Sequence, residues 1–277
     1  MVGPLAYIGG KNRLAKQIIS ILPEHTTYVE PFCGGAQVFF HKPASKVEVL
    51  NDLDGEVINF LRVCQWHHQE LIRFTQYLVV SRAWFDIFAK LDPTTLTDIQ
   101  RATRFLYLQK NCFGGLVVKQ HYHYGVVQRP NFNPERLPVI IAEAHKRLQL
   151  VQLESLPYQE ILDRYDRPST LFYLDPPYWN RRLYKTNLSP DDFRELEEKL
   201  RRITGRFVLS LDDKPEVRNL FRNWNMIELK LAYTAQRKVG RQYAELLISN
   251  FESQFNATTE GQSDAPKRRE KPVQGLP

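Results

Sequence analysis

The chain has 277 residues, 43% of them hydrophobic, enough for one α/β core with a smaller appended domain. Its net charge of +7 permits a polyanionic partner without requiring one. Cys33, Cys64 and Cys112 are widely spaced with no CxxC pair, which argues against a disulfide framework or a zinc knuckle, and no apolar run of about 18 residues is present to span a membrane.

The N-terminus lacks the charged-then-apolar layout of a signal peptide, and with the cysteine usage this points to a reducing cytoplasm. Tyr7-Ile8-Gly9-Gly10-Lys11 places two glycines before a lysine, but the GxxxxGK[ST] spacing is absent, which disfavours a P-loop NTPase. Leu14, Ile18 and Ile21 fall at i, i+4 and i+7 and predict an amphipathic helix ending before Pro23. Tyr28-Val29-Glu30 reads as a short strand, and the small residues of Cys33-Gly34-Gly35-Ala36 form a turn that lets a ligand approach the backbone. A plain turn explains that stretch equally well. Val47 to Leu50 reads as the next strand. Asp52 follows it, about 20 residues after the glycine turn, a spacing that suits an acid accepting ribose hydroxyls. The competing role for Asp52 is a helix cap, which Asp54 could fill instead. Val57, Phe60, Leu61 and Cys64 then make a helical stripe.

Residues 66–150 change character. Thr97-x-x-Gln100 is a capping-box candidate before Ile99, Ala102, Phe105 and Leu106, and a loop-rich segment follows from Asn111 to Pro138. Across residues 101–147 there are eight Lys/Arg and two Asp/Glu, so much of the positive charge sits here. His67-His68 and His121-x-His123 lack an acid or Cys at ligand spacing and read as surface or groove histidines rather than a metal site. Residues 151–251 return to strand–helix alternation, with strands expected at 171–174, 207–211, 227–231 and 245–249 and a helix opening at Ser189-Pro190, with Asp192 three residues after the cap. This pattern on both sides of a helical insert implies a mostly parallel sheet interrupted by a smaller domain. Residues 252–277 are polar and read as a disordered tail.

Asp175-Pro176-Pro177-Tyr178 directly follows the apolar run Leu171 to Leu174. A carboxylate there can accept a hydrogen bond from an exocyclic amine. The prolines fix φ and remove two N–H donors, freeing carbonyl oxygens as further acceptors, and Tyr178 offers a face for stacking. A proline-rich turn with a capping acid is the plainer alternative.

Taken in this order, the segments resemble the DNA adenine methyltransferase family, in its Dam-like, alpha-group motif order of the kind also carried by phages. Tyr7 to Lys11 matches its N-terminal glycine–lysine motif. Val29 to Ala36 resembles its cofactor loop, with Ala36 where a glycine is common. Leu50-Asn51-Asp52 resembles its ribose-binding acid, and Asp175 to Tyr178 its catalytic motif. Phe105 to Leu108 with Phe113 to Leu116 resembles the start of its recognition region, and Glu245 to Ile248 its closing strand. The likeness runs over roughly residues 6–251. The 117–136 segment does not line up with members that read GATC.

The resemblance implies a Rossmann-like methyltransferase sheet with helices on both faces and an inserted, mainly helical DNA-recognition domain. Residues 1–65 and 151–251 would bind S-adenosylmethionine and 66–150 would read DNA. It also implies methyl transfer from S-adenosylmethionine to adenine N6 in double-stranded DNA by base flipping, without a metal. Asp175, Pro176 and Tyr178 are the expected catalytic residues. Tyr7, Lys11, Phe32, Gly34, Asp52 and Asp175 are expected around the cofactor. Lys110, Lys119, Arg129, Arg237, Lys238 and Arg241 are the expected DNA contacts, with Gln120, Gln128 and Asn131 as candidate base readers. A monomer is expected, and a cognate restriction endonuclease is a partner the resemblance allows. Three alternatives stay open: methylation of cytosine N4 or an RNA base, a nucleotide-binding oxidoreductase, and a DNA-binding relative without catalysis.

Overall fold

The structure is a computed structural model that describes residues 1–118, 120–123, 131–179, 184–230 and 244–252. Helix α1 (Ala15–Ser20) is followed by β1 (Thr27–Glu30), α2 (Gln37–His41), β2 (Val47–Asn51) and α3 (Gly55–Trp66). The insert then supplies α4 (His68–Thr75), α5 (Arg82–Lys90), α6 (Asp98–Asn111) and α7 (Leu137–Leu148). The chain returns through β3 (Gln152–Glu154), α8 (Tyr158–Tyr165), β4 (Thr170–Leu174), α9 (Pro190–Leu200), β5 (Arg206–Asp212), α10 (Pro215–Leu220), β6 (Asn225–Lys230) and β7 (Ala244–Ser249).

The strands form one sheet in the order β3-β2-β1-β4-β5-β7-β6. Pairing is parallel from β3 through β5 and antiparallel on both sides of β7. The direction of winding reverses between β1 and β4. In an open α/β sheet such a switch point leaves a crevice beyond the carboxyl ends of the strands.

The central strands are apolar on both faces because helices cover both. Tyr28, Leu50, Leu171, Tyr173, Val208 and Leu247 point to one core, shared with Phe39, Phe40, Phe60 and Leu61. Val29, Val49, Phe172, Leu174, Phe207 and Leu209 point to the other, under α8, α9 and α10. Burying each such side chain contributes roughly 1.5–3 kcal/mol. The first core continues into the insert through Leu71, Ala102, Leu106, Ile141 and Leu148, so α4, α6 and α7 pack directly on α3.

The helix starts obey the local chemistry read from the chain. Asp54 accepts from Glu56 N at the start of α3. Thr97 and Gln100 form a capping box on α6, as Ser189 and Asp192 do on α9. The edge strand β3 has a partly exposed pattern with only three residues, too short for alternation to announce it.

Candidate active site

The crevice at the switch point holds a cavity of about 260 Å³. It is lined by Tyr7 to Lys11, by Glu30 to Val38 between β1 and α2, by Asn51 to Asp54 after β2, by Tyr173, Asp175 and Pro177 at the end of β4, and by Tyr184 to Leu188.

Two features build the glycine turn. Gly34 has φ +46°, and a Cβ there would lie 2.9 Å from the Tyr7 ring, so the close packing of Tyr7 needs glycine. Ala36 caps α2 in the left-handed region, φ 48°, a conformation that costs a non-glycine residue about 1–2 kcal/mol. Ala36 has no side-chain acceptor for the helix amides. Glu30 of β1 takes that place, accepting from Phe39 N at 2.8 Å and from the Tyr28 hydroxyl at 2.8 Å. Burial pushes the Glu30 carboxyl up to about 8, against the pull of those two hydrogen bonds.

Asp52 stands at the carboxyl end of β2 and accepts from Gly34 N and Asp54 N, both at 2.8 Å. It therefore clamps the glycine turn to the second strand. Burial raises its carboxyl to about 6, although both amides favour the anion. The neighbouring Asp54 caps α3 and pairs with Lys185 at 2.8 Å through Oδ1. Its Oδ2 is buried without a hydrogen-bond partner among the described residues. Phe32 lies against Tyr158 with ring centroids 5.3 Å apart. Tyr184 packs on Tyr7 at 6.3 Å and donates to Ile8 O at 3.1 Å, bringing the 184–188 segment over the cavity.

At the opposite wall Asp175 leaves β4. Lys11 Nζ is 2.6 Å from Asp175 Oδ1 and 2.8 Å from the Tyr178 hydroxyl, and also donates to Gly9 O at 3.0 Å. Lys11 thus bridges the N-terminal glycines and the tetrapeptide, besides lining the cavity. Burial works against its charge, but Asp175, Tyr178 and Glu245 outweigh that and hold the ammonium protonated. Burial pushes Asp175 up to about 6, Lys11 opposing and Glu245 adding to the rise.

Tyr7, Lys11, Phe32, Gly34, Asp52 and Asp175 all line one cavity. Tyr178 reaches it through Lys11. Of the expected DNA contacts, Lys119, Arg129, Arg237, Lys238 and Arg241 lie outside the described residues, as does Gln128. Lys110 sits half-buried in the last turn of α6, where burial lowers its ammonium. Gln120 spends its amide on Gln109 Oε1 and Leu116 O, whereas Asn131 is exposed. The sequence alone does not point to Tyr158 or Tyr184, marks Asp54 only as a helix cap, and marks Glu30, Ser210 and Glu245 only as parts of strands. For Glu245 a signal existed: like Asp175, it is an acid at the edge of an apolar strand run, Leu246 to Ile248.

This chain is 26% identical over 235 residues to the DNA N-6-adenine-methyltransferase of Escherichia phage P1, covering 78% of this chain but 30% of that relative. It is 24% identical to the type II methyltransferase M1.LlaDCHI of Lactococcus lactis subsp. cremoris, over 88% of this chain and 94% of the relative. It is 27% identical to a DNA adenine methylase of Vibrio cholerae, over 89% and 95%. The solved rRNA methylase from Streptococcus thermophilus aligns with a TM-score of 0.39 at 11% identity, over 87% of this chain and 96% of that one. The model of one family, the D12 class N6 adenine-specific DNA methyltransferases, matches residues 7–235, and the chain belongs to that family.

Proposed function

We propose that this adenine-specific DNA methyltransferase binds S-adenosylmethionine in the switch-point cavity and methylates the N6 amine of an adenine flipped out of double-stranded DNA. The observation that carries this reading is the position of Asp175, at the end of β4 in the wall of the same cavity that holds Asp52 and the glycine turn.

The residues present fit such a donor. Asp54 has a buried oxygen that lacks a partner among the described residues, suited to a hydroxyl or amine donor of a nucleoside, and the Asp52 oxygens retain further acceptor capacity beside their backbone amides. Phe32 and Tyr158 offer aromatic faces. When bound, S-adenosylmethionine supplies an electrophilic methyl group.

The exocyclic nitrogen of adenine is a poor nucleophile because its lone pair is delocalised into the ring. In this reading Asp175 and the Pro176 carbonyl accept its two hydrogens. That favours a more tetrahedral nitrogen and concentrates the lone pair, an aid directed at charge that develops in the transition state. Lys11 engages Oδ1 of Asp175, so the amine is met by Oδ2. Flipping the base out costs a few kcal/mol. Stacking on Tyr178 offsets part of this, at roughly 1–3 kcal/mol per base–aromatic contact. The basic 66–150 segment is assigned to DNA recognition, with Lys110 and the cations beyond the described residues tracking phosphates.

The test is native single-molecule sequencing of DNA from a methylation-free bacterial host expressing this chain or Asp175→Ala. N6-methyladenine in one short motif, lost by at least about 10²–10³-fold in the variant, is expected. Unmodified DNA from folded wild type would overturn the reading.

A further inference from the structure

Glu245, at the start of β7, is only 6% exposed, yet it is a carboxylate among the side chains of the proposed reaction centre. The Tyr178 hydroxyl lies 2.8 Å from each of its oxygens. Ser210 Oγ on β5 donates to Oε1 at 2.5 Å. Lys11 Nζ is 3.3 Å from the same oxygen while it is 2.6 Å from Asp175. One ammonium therefore bridges two carboxylates. The Tyr178 hydroxyl accepts from Lys11 and donates to Glu245, closing the circuit.

We propose that Glu245 is a positioning residue for methyl transfer: it fixes the Tyr178 ring through its hydroxyl and shares the Lys11 ammonium with Asp175. The proposal rests on the methyltransferase reading and goes beyond the tetrapeptide. A carboxylate fully committed to an ammonium at 2.6 Å is a weakened acceptor for a neutral amine. A second carboxylate on the same cation restores that acceptor strength, because the cluster then carries net negative charge. A tyrosine ring with a tethered hydroxyl also loses less freedom when a base stacks on it.

A merely structural role for Glu245 would be to satisfy two buried hydroxyls. The two roles differ in their pH dependence. The groups facing Glu245 are Lys11, Tyr173, Asp175, Tyr178, Tyr184 and, across the β5–β7 register, Asp212. Glu30 faces Asp175 from β1. Removing the Glu245 charge takes a like charge away from Asp175, which favours the Asp175 anion.

The experiment uses the full chain, genomic DNA from a methylation-free host and methyl-tritiated S-adenosylmethionine, with single-turnover rates measured from pH 5 to 9. For Glu245→Gln the plateau rate falls about tenfold or more, and the midpoint of the acid limb moves to lower pH by about half a unit or more. For Tyr178→Phe, which keeps the ring, the plateau falls by about tenfold. A slowed Glu245→Gln with an unmoved midpoint reduces Glu245 to structural support and overturns the proposal, as do wild-type rates in both variants. Should Glu245→Gln fail to fold by circular dichroism, Tyr178→Phe decides: a wild-type rate overturns the proposal and the tenfold loss supports it. Inactive wild-type protein overturns the functional reading itself, an outcome distinct from active wild type with indifferent variants.

Discussion

At the residue scale, chemistry at the site is governed by carboxylates whose protonation burial has displaced. In the proposed mechanism Asp175 accepts an amine hydrogen far better as the anion, and burial pushes its carboxyl up to about 6. Methylation is therefore expected to fall about tenfold per pH unit below that value, read in single-turnover assays at saturating cofactor. Asp52 is raised to a similar value, and in the proposed function its effect falls on cofactor binding. Asp52→Ala releases both the Gly34 and Asp54 amides from their acceptor, so the glycine turn loosens. Affinity for S-adenosylmethionine, measured by calorimetry, is expected to drop about tenfold or more, the scale of a lost charged hydrogen bond of roughly 1.5–3 kcal/mol. Unchanged affinity would make Asp52 a purely structural clamp.

At the element scale, the insert is held to the sheet by more than apolar packing. Arg147 in the last turn of α7 makes a two-pronged contact to Glu48 of β2, through Nη1 to Oε2 and through Nη2 to Oε1 at 2.8 Å. Lys42 donates to the same carboxylate at 2.7 Å, and the Arg147 guanidinium stacks 3.7 Å from the Phe39 ring centroid. Glu48 is only 5% exposed, so it depends on these partners. Arg147→Ala is expected to destabilise the protein by about 3 kcal/mol, since a buried charge loses one of two cations. Urea unfolding of the two proteins checks it, and a loss below about 1 kcal/mol would leave Lys42 as the sufficient partner. The N-terminal segment is tied down comparably. Ile8 N donates to Gly115 O at 3.0 Å, and a Cβ on Gly115, whose φ is +67°, would lie 2.8 Å from Ala6 O. The insert thus helps place Tyr7 and Lys11.

At the scale of the whole molecule, burial of acids under the cavity links stability to pH. Glu30 titrates near 8 in the fold and near 4.5 when unfolded, so between these values the folded state holds the extra proton. Its contribution to stability is fully present below about 4.5 and is lost as pH rises through about 8. Glu30→Gln keeps an acceptor for Phe39 N and removes the titration. The melting temperature of wild type is expected to fall relative to Glu30→Gln as pH rises from 6 to 8. A constant difference would show that Glu30 is ionised in the fold across that range. No described helix is long and apolar enough to cross a membrane.

Much of this protein was determined by local sequence. Among the described residues, apolar runs marked six of the seven strands, most clearly β4 and β5, since a strand buried on both faces needs no partner to be recognised. Capping side chains marked the starts of α3, α6 and α9, because a cap acts within three residues of its helix. Asp175 to Tyr178, Asp52 and the glycine turn were legible for the same reason: each pairs a chemical group with the strand end that presents it. The strand order and the antiparallel insertion of β7 were decided only by tertiary structure, because pairing joins segments remote in the chain. So was the cluster of Lys11, Asp175, Tyr178 and Glu245. Lys11 and Asp175 are 164 residues apart and Tyr178 and Glu245 are 67 apart. What each of these charges does is set by the others, at distances of about 3 Å in a site largely closed to water, where electrostatic interactions are far stronger than along an exposed chain.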